Sequence, residues 1–104
     1  MTNRITLSQA NAIIAAAFAK GAELKLKPLS VVVVDAGGHV QAFQRQDGAS
    51  SMRLGIALGK AAGGIIVKGG DGFAIGAVGI TGDTSDNDEI CTLAGIAAAG
   101  LTAA

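Results

Sequence analysis

The densest polar segment of the chain runs from Gly82 to Glu89, where four carboxylates fall within seven residues. At the start of a helix, acidic side chains are stabilised by the positive end of the helix dipole, and one of them can cap free backbone amides. A divalent cation also prefers several oxygen ligands, but this spacing matches no EF-hand loop. Helix capping and ligand or metal binding are therefore both predicted for one set of residues: Asp83, Thr84, Asp86, Asp88 and Glu89.

A second group of charges consists of Arg45, Asp47 and Lys60. These side chains could hold a carboxylate or a propionate through charge-assisted hydrogen bonds. Alternatively, Arg45 and Asp47 pair at the end of a strand, a contact that contributes little in water.

The candidate soft or imidazole ligands are His39, Met52 and Cys91. One or two such groups can hold a haem iron, whereas zinc would need two carboxylates in addition. His39 follows two glycines, which predicts either a solvated histidine in a turn or an exposed iron ligand. Cys91 would need His39 as a base to act as a nucleophile; a helix dipole would lower the pKa of its thiol and burial would raise it.

The composition limits the kinds of partner. Eight basic and eight acidic residues cancel, and only 15% of the 104 residues are charged, so nothing attracts a phosphate backbone. Without Trp or Tyr the chain also lacks stacking platforms for single-stranded nucleic acid. No apolar run approaches the ~20 residues that span a bilayer. We expect a protein that binds neither nucleic acid nor membrane, with part of its surface covered by another copy of itself.

The size of the chain suits a single domain over residues 1–104. One cysteine excludes an internal disulfide framework. The start leads directly into a polar helix cap instead of an apolar signal segment, which makes a cytoplasmic location the expectation.

Three helices are predicted. The first begins at the capping box Thr6-Leu7-Ser8-Gln9. Its apolar face is predicted from spacings of three and four residues: Ala10, Ile13, Ile14, Ala17, Gly21 and Leu24. The second helix runs from Ser50 or Ser51 through Lys60. The last is capped from Thr84, Ser85 or Asp86, and its buried face is predicted to contain Ile90, Leu93, Ala94, Ala97 and Leu101.

Two hairpins alternate with these helices. Val31 to Val34 is typical of a strand buried on both faces, and Asp35 to Gly38 turns the chain into a half-buried partner that ends before Gln46. A second hairpin joins residues 65–68 to residues 73–80 through the Gly69 to Gly72 turn. Isolated hairpins are unstable, so we expect an α+β fold in which both share one antiparallel sheet flanked by helices.

Three motifs resemble the GlcG/HbpS-like family of haem-degrading or haem-binding domains, which includes the C-terminal domain of PduO-type proteins: VVDAGGH (33–39), RQDGA (45–49) and IGAVGITGDTSDNDE (75–89). The resemblance spans nearly the whole chain. It implies a profilin-like fold, homo-oligomers from dimers up to octamers, and haem or a corrinoid as ligand. The family's haem ligand is not a shared motif, so no residue inherits that role.

The resemblance breaks between Ala62 and Gly63, where several tens of residues of the family's pattern are missing. Either the chain is naturally shorter, or a further stretch lies between these two residues. The second interpretation is favoured, because the remaining connection is shorter than the usual ~2–6 residues.

Three functions are consistent with these observations. The first is a cytoplasmic, oligomeric domain that binds haem, a corrinoid or a smaller metabolite. The second is a structural or regulatory partner protein, with the small-residue face of the last helix buried between subunits. The third is a small enzyme that degrades haem or converts a metabolite with its acidic loop and Cys91.

Overall fold

The computed structural model describes residues 4–49 and 64–103. Their elements, in chain order, are α1 (Leu7–Glu23), β1 (Ser30–Asp35), β2 (Val40–Arg45), β3 (Ile65–Lys68), β4 (Ala74–Thr81), α2 (Ser85–Ala98) and β5 (Thr102–Ala103). The predicted helix from Ser50 or Ser51 through Lys60, the candidate ligand Met52 and the predicted break between Ala62 and Gly63 all lie outside the described residues.

Helix α1 begins at the predicted capping box. The Thr6 hydroxyl accepts a hydrogen bond from the Gln9 amide at 3.0 Å, and the Gln9 side chain accepts one from the Thr6 amide at 3.0 Å. The predicted apolar face is buried from Ala10 to Gly21. The prediction that this buried face extends to Leu24 is wrong. Leu24 caps the helix and is 39% exposed, because the chain changes direction at Lys25, where φ is 56°.

One five-stranded antiparallel sheet contains both hairpins, in the order β2-β1-β4-β3-β5. The pairing of β1 with β4 joins them. Val31 and Val33 belong to the core that α1 and α2 cover, whereas Val32 and Val34 are buried on the opposite face. This arrangement confirms the α+β class and the burial of β1 on both faces; β5 was not predicted.

Helix α2 begins after Thr84, as predicted, but its predicted buried face is wrong at Ile90, Leu93 and Ala97; Leu101, just after the helix, does pack against the core. Ile90 and Leu93 are 43% and 42% exposed, and the residues that face the interior are Asp88, Cys91, Thr92, Gly95 and Ile96. The reason lies in the contact with α1, since a Cβ atom placed on Gly95 would be 2.5 Å from the carbonyl oxygen of Ile13. Because Gly95 has no side chain, the backbones of α1 and α2 can approach closely on this side of α2, and this side therefore faces the interior.

This contact predicts the effect of Gly95→Ala. Alanine normally stabilises a helix interior by about 1 kcal/mol relative to glycine. Here the added methyl group would clash with the backbone carbonyl of Ile13, which cannot change rotamer as a side chain could. Such overpacking typically costs about 1–3 kcal/mol. We therefore expect a lower free energy of unfolding, measured by urea denaturation. Ala98→Gly, at an exposed position of the same helix outside its apolar stripe, reports helix propensity alone. A more stable Gly95→Ala variant would contradict the close contact.

Candidate functional site

The register of the sheet brings the two predicted groups of charges to one end of the molecule. Ser30, the first residue of β1, pairs with Arg45 at the end of β2 and with Thr81 at the end of β4. The acidic segment follows Thr81 directly. Arg45 and Asp83 therefore lie at the same end of the sheet, on either side of the connection that leads from α1 into β1.

That connection, residues 24–29, is tied to both neighbours. The Leu29 amide donates to the Gln46 side-chain oxygen at 2.8 Å, and the Gln46 amide donates to the Leu29 carbonyl at 2.9 Å. On the other side, the Lys27 amide donates to Oδ1 of Asp83 at 3.2 Å. These bonds link β2, the connection and the start of α2 into one unit.

An open groove of about 590 Å³ lies between the end of α1 and the end of β2. It falls in the range of about 300–1,000 Å³ that is typical of small-molecule sites. Its apolar lining comes from α1 and the connection: Phe18, Gly21, Ala22, Leu26 and Pro28. Its polar lining comes mainly from β2 and the turn after it: Lys27, Gln44, Arg45, Gln46 and Asp47.

Among the described residues, two cations and one carboxylate line this groove. Arg45 and Asp47 were predicted from the sequence, and Lys27 was missed because an exposed lysine before a proline belongs to no local motif. Nη1 of Arg45 donates to the Ala49 carbonyl at 2.9 Å, which orients the guanidinium. Lys60, the third residue of the predicted group, lies outside the described residues.

The acidic segment contacts the backbone, as its capping interpretation predicts. Oδ2 of Asp83 accepts bonds from the Thr84 amide at 2.9 Å and from the Asn87 side-chain amide at 2.8 Å. The Asn87 bond, followed by the backbone bonds from Thr84 and Lys27, lowers the pKa of the Asp83 carboxyl. Asp88 is buried, and its Oδ1 accepts from the Asp83 amide at 3.2 Å.

The remaining members of the acidic segment have different surroundings. Thr84 is the N-cap and accepts a hydrogen bond from the Asn87 amide at 3.3 Å. Asp86 and Glu89 are exposed. Within the described part of the chain, no group of three or more His, Cys, Asp or Glu side chains is placed to hold a metal ion.

His39 lies at the opposite end of the sheet from the groove. It sits in the turn between β1 and β2, about 20 Å from Arg45 at the usual rise of a strand. Its side chain is 82% exposed, and its Nδ1 is 3.3 Å from Oδ1 of Asp35. The His39 amide is the main cause of a lowered pKa at Asp35, which also accepts a bond from Gly37. The structure thus does not bring His39 together with the other candidate residues.

Cys91 is fully buried against α1. Burial is the main cause of a raised pKa of its thiol, and the negative charges of Asp88 and Asp83 act in the same direction. A nucleophilic cysteine needs a thiolate and a nearby base, but the exposed His39 lies in the far turn. The geometry therefore does not place His39 where it could act as the base that a nucleophilic Cys91 would need.

The burial of Cys91 predicts that its thiol is inert to iodoacetamide in the native protein. The same chain in denaturing urea should be labelled once, because Cys91 is the only cysteine. Mass spectrometry of the labelled chain at several times measures both rates. Labelling of the native protein as fast as that of the unfolded chain would show that the thiol is accessible.

No helix within residues 4–49 and 64–103 combines the length and apolar character needed to cross a membrane.

Comparison with known proteins identifies the family of this chain. A family model described as haem degrading protein HbpS-like matches residues 5–63, more than half of the chain. The search of curated proteins found no match.

Several solved structures share the fold. A PduOC:haem complex superposes with a TM-score of 0.83 at 19% identity, covering 96% of this chain and 98% of that one. Protein ORFY of Klebsiella pneumoniae gives 0.83 at 22% identity, covering 96% and 94%. A double mutant of Streptomyces reticuli HbpS gives 0.78 at 22% identity, covering 93% and 88%. At these identities the similarity shows the fold alone.

Proposed function

Because the chain belongs to the family of HbpS-like haem-degrading proteins, we propose that the groove between α1 and β2 binds haem. The observation that carries the proposal is the division of the groove into an apolar wall and a cationic rim. Haem has the matching chemistry, since a flat apolar macrocycle carries two propionates at one edge. The structure of a PduOC:haem complex with the same fold supports haem as the ligand to test first.

The groove residues have distinct roles in this proposal. Phe18, Leu26 and Pro28 exclude water from the macrocycle, and burial of apolar surface there supplies binding free energy. Lys27 and Arg45 pair with the propionates through charge-assisted hydrogen bonds. Asp47 on the same rim repels a carboxylate and so restricts where the propionates lie.

The described groove residues fit the edge and the face of haem, but not its iron. The usual protein ligands of haem iron are histidine, cysteine, methionine and tyrosine. Among the described residues that line the groove, none is of these types. Bound haem would supply redox chemistry at its iron, whereas the described residues of the groove bind and orient the macrocycle. Nothing in the comparisons favours a corrinoid over haem.

A haem titration tests this proposal. The wild-type protein should give a saturable change in the Soret band. Lys27→Ala and Arg45→Ala should each weaken binding about tenfold, because a hydrogen bond to a charged group contributes about 1.5–3 kcal/mol, and an exposed rim gives the lower end of that range.

Lys68→Ala is the matched control for this titration. It removes the same charge from β3, on the far side of the sheet from β2, and should leave the affinity unchanged. Equal losses in all three variants would indicate non-specific attraction. Loss of the Soret change in His39→Ala alone would place the iron at the distant turn and contradict the groove.

Self-association is a second proposal, supported by the exposed side of α2. Ile90, Leu93 and Ala97 form a stripe of exposed apolar side chains along this helix, in a chain with few charges. Apolar patches on a small protein are commonly contact surfaces. We propose that this stripe meets the same stripe of a second copy in a homo-oligomer.

Native mass spectrometry and light scattering test this assembly. Leu93→Glu should dissociate it, because a charge would be buried in the contact without a partner. Leu24→Glu is the control, since Leu24 is exposed to a similar extent, 39% against 42%, but lies outside the stripe. A wild-type protein that stays at 10.2 kDa across all concentrations would refute self-association.

A further inference from the structure

We infer that Asp83 is a positioning residue for ligand binding, which holds Lys27 at the rim of the groove without touching the ligand. The inference rests on the proposed function of the groove, and it assigns to the acidic segment a role other than direct ligand binding. Asp83 is not among the residues that line the groove, whereas Lys27 is.

The first argument is the set of bonds that Asp83 accepts. Its Oδ2 is occupied by the Thr84 amide and the Asn87 side chain, both at the start of α2. Its Oδ1 accepts from the Lys27 amide, 56 residues away in the sequence. One carboxylate therefore ties the first turn of α2 to the connection that carries the groove's lysine.

The second argument is that this segment of the connection has few other attachments. Leu26 is held by its amide bond to the Gly21 carbonyl at 2.9 Å, and Leu29 is held by Gln46. Between them, Pro28 has no N–H to donate. Within the described residues, the bond to Asp83 is the one that fixes the Lys27 amide.

The third argument is the close packing of the two segments. Gly82 has a φ of 139°, and a Cβ atom there would collide with the carbonyl oxygen of Pro28. The backbone of Gly82 thus packs directly against that of Pro28 and Leu29, and the hydrogen bond between Asp83 and Lys27 lies beside this close contact. The positive charge of Lys27 also lies near enough to contribute to the lowered pKa of Asp83.

The two cations of the rim, Lys27 and Arg45, are held by different contacts. Arg45 is oriented by the Ala49 carbonyl and does not depend on Asp83. Loss of the Asp83 carboxylate should therefore release Lys27 and leave Arg45 in place. The affinity should fall through Lys27 alone.

A double-mutant cycle with haem as the probe tests this dependence. Asp83→Ala should weaken binding about threefold to tenfold, and Lys27→Ala about tenfold, by the charge-assisted bond argued for the rim. The variant with both changes should bind like Lys27→Ala, because no ammonium is left to misplace. Additive losses, or full affinity in Asp83→Ala, would overturn the inference.

Two control variants separate positioning from loss of charge and from loss of stability. Asp71→Ala removes another aspartate whose Oδ1 accepts from a backbone amide, that of Phe73 at 3.0 Å, in the turn between β3 and β4. Thr6→Ala removes the cap of α1 and should lower the melting temperature. Both should keep full haem affinity; a loss in either equal to that of Asp83→Ala would show that the effect is not specific to Lys27.

Amide hydrogen exchange gives a reading that needs no ligand. The Lys27 amide should exchange faster in Asp83→Ala than in the wild type, while the Leu29 amide, held by Gln46, should not change. Unchanged exchange at the Lys27 amide would refute the role of Asp83 in holding this segment, independently of the haem titration. Faster exchange in Asp83→Ala, together with a wild-type protein that does not bind haem, would refute the proposed function but support the role of Asp83 in holding Lys27.

Discussion

The pairing of β1 with β4 is the interaction on which the rest of the structure depends. It joins two hairpins that are each too small to be stable alone, and it runs without interruption from Ser30–Thr81 to Asp35–Gly76. Because β1 is buried on both faces, this pairing also provides the surface on which α1 and α2 pack. The end of β2 and the segment after β4 become neighbours only through it.

The groove follows from that pairing and from the connection after α1. The connection crosses the end of the sheet between Arg45 and Asp83 and is bonded to both sides, through Gln46 and through Asp83 itself. An apolar wall from α1 thereby faces a cationic rim from the connection and β2. The chemistry of the site is thus the result of where three chain segments meet, with no single motif that contains it.

Local signals in the sequence were enough to predict most of the fold. Thr6 and Gln9 predicted the start of α1, the four valines predicted the doubly buried strand β1, and the glycine turns predicted both hairpins. The inward face of α2 could not be predicted this way. The spacing of its larger apolar residues pointed to Ile90 and Leu93, but the contact between helix backbones at Gly95 decided the orientation.

The candidate site was predicted in part, for a related reason. Charge clustering identified Arg45 and Asp47, which do line the groove, and Asp83, which lies beside it. Lys27 has no distinguishing neighbours in the sequence, and only the crossing of the connection over the sheet places it beside Arg45. A lysine whose role depends on a bond to a residue 56 positions away leaves no local pattern.

The assembly of the groove from distant segments also couples binding to folding. The unfolded chain does not hold Lys27, Arg45 and Phe18 around one cavity, so a ligand of the groove binds the native state alone. By thermodynamic linkage, a ligand at a hundred times its dissociation constant would then stabilise the fold by about 2.7 kcal/mol. Occupancy of this groove would thereby raise the resistance of the whole domain to heat.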